Sequence, residues 1–295
     1  MLWLILILIT VFVWALINIY DKHIITDELR DPFLCTTVYG VIIFILLPAM
    51  TFITKQAVWL PFNIILASIV AGIALGAAIF FYYKSLSHEE VSRVMPMMEL
   101  VPLFTLILAT IFLNEIFSFI RYIGMALLIV GGFLISIKRH KKKKFYLTPV
   151  IITVIIASIL FAVRSILIRY STLYASSMQI IFWIALGQLV VALILFAFHH
   201  PRIVSKIQIR GFKHLVIIDV ISALTFILYV YTIKIAPAIS LVSVFGAVQS
   251  AFVFVMAIVL SKVGKIVREP LEKNILIQKM IAIALIIIGV ILITI

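Results

Sequence analysis

The sequence predicts an all-α integral membrane protein with ten transmembrane helices, built from two related five-helix halves. Three observations carry that prediction. The residue types Ala, Val, Ile, Leu, Met, Phe, Trp, Tyr and Cys make up 65% of the 295 residues, charged residues only 12%, and the mean hydropathy is +1.33. A soluble domain of this length needs far more polar surface to cover its core. The apolar residues also fall into ten runs long enough to cross a bilayer, which takes about 20 residues. Finally, landmarks in the first five runs return in the last five.

The runs are 2–20, 33–54, 62–83, 93–113, 120–137, 147–169, 178–198, 214–234, 238–260 and 276–294. The first has no basic leader and no small-residue cleavage site, so it reads as a retained helix and not as a signal peptide. Short hairpins lead into the fourth and ninth runs, through KSLSHEEVSR and KIAPA. No polar gap has room for a soluble domain. Cys35, the single cysteine, excludes an internal disulfide and reads as inert packing.

The net charge of +13 comes from 24 Lys+Arg against 11 Asp+Glu. These basic residues sit in the short gaps between apolar runs, the pattern of loops facing anionic headgroups. The expected partners are therefore the lipid bilayer and a small-molecule substrate, and not nucleic acid. With the N-terminus outside, the loops left on the cytoplasmic face hold 19 of the 24 basic residues. That bias favours both termini outside, in a multi-pass protein of the cell (cytoplasmic) membrane. The KRHKKKK run at 138–144 is the expected linker (138–146) between a first repeat at 1–137 and a second at 147–295.

The repeat rests on an offset of about 148 residues. Trp14-Ala15 falls near Phe161-Ala162, Lys22 on Arg169, Gly40 on Gly187, Tyr83 on Tyr231 and Ser92 on Ser240. In the fifth and tenth runs Gly131 meets Gly289 at an offset of 158, so the second half carries extra residues near KIVREPLEKN. An odd number of helices per repeat gives the halves opposite orientations, the inverted-repeat logic of secondary transporters.

Four local patterns give the chain a family resemblance. Trp14 is followed by Lys22 at the end of the first helix, and Tyr-Tyr-Lys-Ser-Leu ends the third. A hairpin enters a fourth helix that bears Pro96 and Pro102 and closes with Leu113, Asn114 and Glu115. The fifth helix contains Gly124, Gly131 and Gly132. In these residues the sequence resembles the drug/metabolite transporter superfamily, in its ten-helix EamA-like branch, over essentially the whole chain. The resemblance implies two inverted five-helix bundles around a central cavity, helices five and ten at the periphery, and transport by alternating access. Two positions depart from the family pattern, Tyr39 where an Arg is common and Val263 where the second half would close with Glu.

Ionisable groups deep in a span are costly and are functional candidates by default. Glu99 lies two turns into the fourth helix between two prolines, where freed carbonyls are tolerable along a cavity. Its carboxyl can bind a cationic group or couple protons; the alternative is a neutral Glu bonded to a neighbouring helix. Asp219 lies about 9 Å into the eighth helix at 1.5 Å per residue. It can face the same cavity, or be an interfacial Asp tied to Lys213. Arg164 lies deep in the sixth helix, where it can meet a carboxylate or an anionic substrate group, while Lys22 and Arg169 are expected to snorkel to headgroups. Trp14, Asn18, Tyr82, Tyr83, Trp183, Gln188, Tyr229, Tyr231 and Gln249 are candidates for a polar-aromatic lining, against the plainer reading of an interfacial belt. Gln249 stands out because it is mid-helix and aligns close to Glu99. Gly72 and Gly76 read as a small-xxx-small face for helix packing.

No metalloprotease, nucleophile-elbow or Walker motif occurs, and the six histidines lie in loops or at run ends, so no enzyme activity, cofactor or metal site is expected. The expected function is a secondary active transporter for a small polar or amphipathic metabolite, amino-acid-like or cationic, proton-coupled or exchanging, and monomeric or homodimeric. The alternative is a flippase for a lipid-linked or phosphorylated headgroup.

Overall fold

The computed structural model describes residues 2–56, 59–114, 118–138, 146–147, 150–206, 209–246, 248–263 and 273–294. Each of the ten apolar runs is helical there. In order the helices are α1 (Leu2–His23), α2 (Pro32–Ile53), α3 (Phe62–His88), α4 (Val91–Met97), α5 (Leu100–Leu113) and α6 (Phe119–Ser136), then α7 (Ile151–Thr172), α8 (Ser177–Lys206), α9 (Ile209–Ile235), α10 (Ile239–Gly246), α11 (Val248–Val263) and α12 (Lys273–Thr294). A short π-helix, Ile24–Glu28, extends α1. Among the described residues eight helical stretches are long and apolar enough to cross a membrane, with α4–α5 and α10–α11 each counted as one, and a shorter apolar helix covers Leu276–Leu292. The protein is an all-helical integral membrane protein. Large apolar side chains such as Ile45, Phe62, Phe112 and Leu193 lie on its outer surface, as lipid solvation allows.

The boundaries moved where local chemistry overrides apolarity. The sixth run starts at Ile151 and not at 147, because Tyr146–Leu147 pairs with Ile137–Lys138 as a two-residue ribbon. Residues 139–145, most of the expected linker, lie outside the described residues, as does Glu115. The fourth run is two helices. Pro102 has no N–H to offer Met98, so the Met98 carbonyl takes Val101 N–H instead, three residues on, and Glu99 N–H likewise reaches only back to Pro96. The chain therefore turns tightly at Met98–Glu99, between α4 and α5.

Helices of the two halves interleave. α1 packs on α9 and α11, while α7 packs on α3 and α5; α2 lies against α8, and α6 against α12. The α3–α8 crossing is the tightest. A Cβ placed on Gly72 would strike the Ile184 carbonyl, and one on Gly187 the Ile69 carbonyl, so backbone meets backbone there. Buried apolar residues form two large cores along the bundle. α1 gives Ile7 and Val11 to one and Ala15 and Ile19 to the other; α3 gives Leu75 to the first and Leu86 to the second.

Lys22 and Arg169 do not snorkel. The Lys22 Nζ donates to the carbonyls of Leu86 (2.7 Å) and Glu89 (2.8 Å) at the end of α3. Arg169 donates to Ile233 (2.8 Å), Ala236 and Pro237 (both 3.1 Å) at the end of α9. Carbonyls at a helix C-terminus lack intrahelical partners, and a cation is favourable at the negative end of the helix dipole.

Candidate functional site: a charged cavity inside the bundle

A cavity of about 970 Å³, counting its opening, lies within the bundle. Its wall is mostly apolar, from Ile7, Leu75, Ile79, Val101, Phe226 and Val242 among others, with polar groups set into it. Seven of the twelve candidates named from sequence converge on this one space: Trp14, Asn18, Tyr82, Glu99, Arg164, Tyr229 and Gln249.

The first-half wall is built on one face of α1. Trp14, Asn18 and Asp21 follow at steps of four and three residues and so lie above one another. The Tyr82 hydroxyl bridges Asn18 Oδ1 (2.7 Å) and Asp21 Oδ2 (3.0 Å), and the Tyr83 hydroxyl donates to Asp21 Oδ1 (3.1 Å). Asp21 was not singled out from sequence, since Lys22 beside it made the segment read as the start of a loop. The signal was its helical spacing from Trp14 and Asn18.

Glu99 sits at the turn between α4 and α5, 5% exposed, and Ser250 of α11 hydrogen-bonds its carboxyl through both side chain and backbone. Gln249, next to Ser250, lines the cavity on the same side. A broken helix is what lets a carboxylate enter here, because it turns the side chain and the adjoining backbone toward the same space.

Arg164, 6% exposed, supplies the opposite charge. Its Nη2 donates to the Tyr229 hydroxyl (3.1 Å) and to Ser165 Oγ (3.3 Å). The guanidinium lies 4.8 Å from the Tyr229 ring centre and 5.0 Å from that of Phe161, so it is held over two aromatic faces. Trp14 packs on Tyr229 from the other half, at 5.0 Å between ring centres. Arg164 Nε and Asn18 Nδ2 are buried without hydrogen-bond partners among the described residues, and both belong to residues lining the cavity.

Asp219, another of the candidates, does not line the cavity. α9 starts at Ile209 and not at 214, which puts Asp219 about 15 Å along it. It is 1% exposed, one turn before the lining residue Ser222, so it is an interior residue and not one tied to Lys213 at the interface. Other aromatic and amide candidates lie elsewhere. Tyr231 is exposed on the outer surface, and Gln188 is buried where α8 crosses α2 and α3. Tyr39, noted only as a family departure, lines the cavity and hydrogen-bonds Ser222. No group of His, Cys, Asp and Glu suited to a metal ion occurs among the described residues.

The fold is that of a multi-pass membrane protein with an interior, charge-bearing cavity. Residues 1–137 match the model of the EamA-like transporter family. Over that segment, a little under half of the chain, the protein is similar to the EamA-like transporters of the drug/metabolite transporter superfamily. No curated protein matches the chain. A crystal structure of a protein superposes with a TM-score of 0.67 at 16% identity, over 98% of this chain and 95% of that one, which is a likeness of fold.

Proposed function

We propose that the protein is a secondary carrier that moves a small polar or amphipathic metabolite, amino-acid-like or cationic, across the cytoplasmic membrane by alternating access. The observation that carries this reading is the cavity's composition. Buried carboxyls and a buried guanidinium, drawn from both halves of the chain, face one interior space. Charged groups in a bilayer interior are rare and mark substrate or ion pathways. In this reading Arg164 takes an anionic group of the substrate, while Glu99 takes a cationic one and takes part in proton coupling. Gln249 and Asn18 contribute hydrogen bonds, and Trp14, Tyr82 and Tyr229 cover its apolar part. Two halves, 1–137 and 147–295, of opposite orientation rock about this site, joined by the basic linker 138–146. The helix pairing described above supports that duplication, since exchanging α1 with α7, α3 with α9 and α5 with α11 maps the α1–α9 contact onto α7–α3 and the α1–α11 contact onto α7–α5.

The test is ligand-induced thermal stabilisation of the purified protein against compounds sorted by charge, because a ligand of the folded state raises its unfolding midpoint. Stabilisation by amino acids or organic cations, lost in Glu99→Gln, is the expected outcome. Stabilisation by phosphorylated compounds or anionic lipids alone would overturn it in favour of headgroup translocation, with Arg164 as the anchor.

A further inference from the structure

Asp21 and Asp219 are not needed to hold a substrate in the reading above, yet both are almost wholly buried, at 3% and 1% exposure. They come from opposite halves of the chain, on α1 and α9, which pack together. Asp219 lies within electrostatic range of Asp21. Around them stand Tyr82 and Tyr83 from α3, Cys35 and Tyr39 from α2, and, across the cavity, Arg164 from α7 and Glu99 from the α4–α5 turn. Arg164 is engaged by Tyr229 and Ser165, and Lys22, next to Asp21 in sequence, sends its Nζ to the end of α3. No ion pair from Arg164 or Lys22 to Asp21 or Asp219 occurs in the contacts described. Two further observations mark the place as a binding site and not as packing. Asp219 Oδ2 is buried with no hydrogen-bond partner among the described residues, and so is Asn18 Nδ2, on a residue lining the cavity beside Asp21.

We propose that Asp21 and Asp219 form a proton-binding pair, one carboxyl from each half, separate from the substrate contacts at Glu99 and Arg164. Burying two carboxylates, one held only by tyrosine hydroxyls and the other with an oxygen lacking a hydrogen-bond partner among the described residues, is unfavourable, and binding a proton relieves it. The event is a simple transfer: a proton arriving from water forms an O–H bond on a carboxyl oxygen, and one negative charge of the pair is neutralised. Release restores the carboxylate. The two groups titrate as a unit, because each one's charge acts on the other. Tyr82 and Tyr83 hold Asp21 in place by donating to its two oxygens. Since α1 and α9 belong to different halves, any relative motion of the halves alters the pair's spacing and so its hold on the proton. That link to transport rests on the carrier reading; the proton site itself does not.

The test is infrared difference spectroscopy of the purified full chain across a pH series, reading the carbonyl stretch of protonated carboxyl groups. Wild type is expected to show a protonated-carboxyl signal that is lost as the pH is raised. Asp21→Asn and Asp219→Asn should each remove part of it, and Glu99→Gln a different part. Tyr82→Phe, which keeps every carboxyl, should move the pH at which the Asp21 part is lost. An unchanged signal in both Asp variants overturns the proposal, and so does loss in one alone, which would leave a single site and no pair. A pair seen here with no ligand stabilising the protein would sink the carrier reading and leave the proton site standing.

Discussion

Lys22 and Arg169 make the same contact at positions 147 residues apart. Lys22 caps α3 at the carbonyls of Leu86 and Glu89, and Arg169 caps α9 at those of Ile233 and Ala236, each acceptor displaced by the same 147. A neighbouring bond follows the rule. Tyr82 bonds Asn18 and Tyr229 bonds Ser165, again 147 apart at both ends. Each half fastens its first helix to its third in one way, although the residues that do it differ in type.

Lys22→Met and Arg169→Met should each lower stability by about 2 kcal/mol, since a charged donor is removed and carbonyls are left to find other partners. Their separation makes the effects additive in the double variant. Thermal unfolding in detergent checks this; a double variant no worse than either single one would deny the caps independent roles.

Lys279 is 2% exposed in α12 and donates at 2.7 Å both to Glu90 Oε2 and to Ser92 Oγ. Breaking a buried pair costs about 3–5 kcal/mol, and a quarter-exposed Glu90 side chain brings the expectation for Lys279→Met to the low end of that range. Pairing it with Glu90→Gln should recover part of the loss, measured as a double-mutant cycle in chemical or thermal unfolding.

Gly72→Ala should destabilise by about 1–3 kcal/mol, because the added methyl meets the Ile184 carbonyl and neither backbone can yield. Gly246→Ala is the control. A Cβ there meets nothing within 4 Å, so its stability should stay level or rise by about 0.4–1 kcal/mol. The fraction of protein remaining monodisperse after heating separates the two.

Arg164→Lys keeps the charge but loses the Nη2 bonds to Tyr229 and Ser165 and the planar stack over two rings. For any carboxylate-bearing compound that stabilises the wild type, affinity should fall about tenfold, equivalent to ~1.4 kcal/mol. Isothermal titration or a ligand-dependent melting series gives the number; equal affinity would place the anionic group elsewhere.

The helices were legible in sequence because lipid makes apolarity obligatory over a fixed length, a signal that needs no partner to be read. Glu99 was legible for a related reason: a carboxylate between two prolines contradicts its apolar surroundings. Asp21 was not, because an acid next to Lys22 near a helix end looks like solvated loop until α3 brings Tyr82 and Tyr83 against it. Asp219 was placed too close to the surface because α9 begins at Ile209, in a stretch whose basic residues read as loop. Lys22 and Arg169 were misread because their acceptors are backbone carbonyls more than 60 residues away, and no side-chain pattern announces those. What the sequence hid was long-range polar pairing; what it displayed was solvent preference.

The bare crossing of Gly72 and Gly187 also has a mechanical meaning. α3 and α8 come from different halves, and at this point no side chain stands between their backbones. Such a contact resists sliding, which would drive either helix's neighbouring side chains into the other, yet leaves turning about the point of closest approach nearly free. It has the character of a fulcrum. The cavity lies off to one side of it, near Leu75 and Ile79 further along α3. A small tilt at the glycines would therefore displace the far ends of the two helices by more than it moves their crossing.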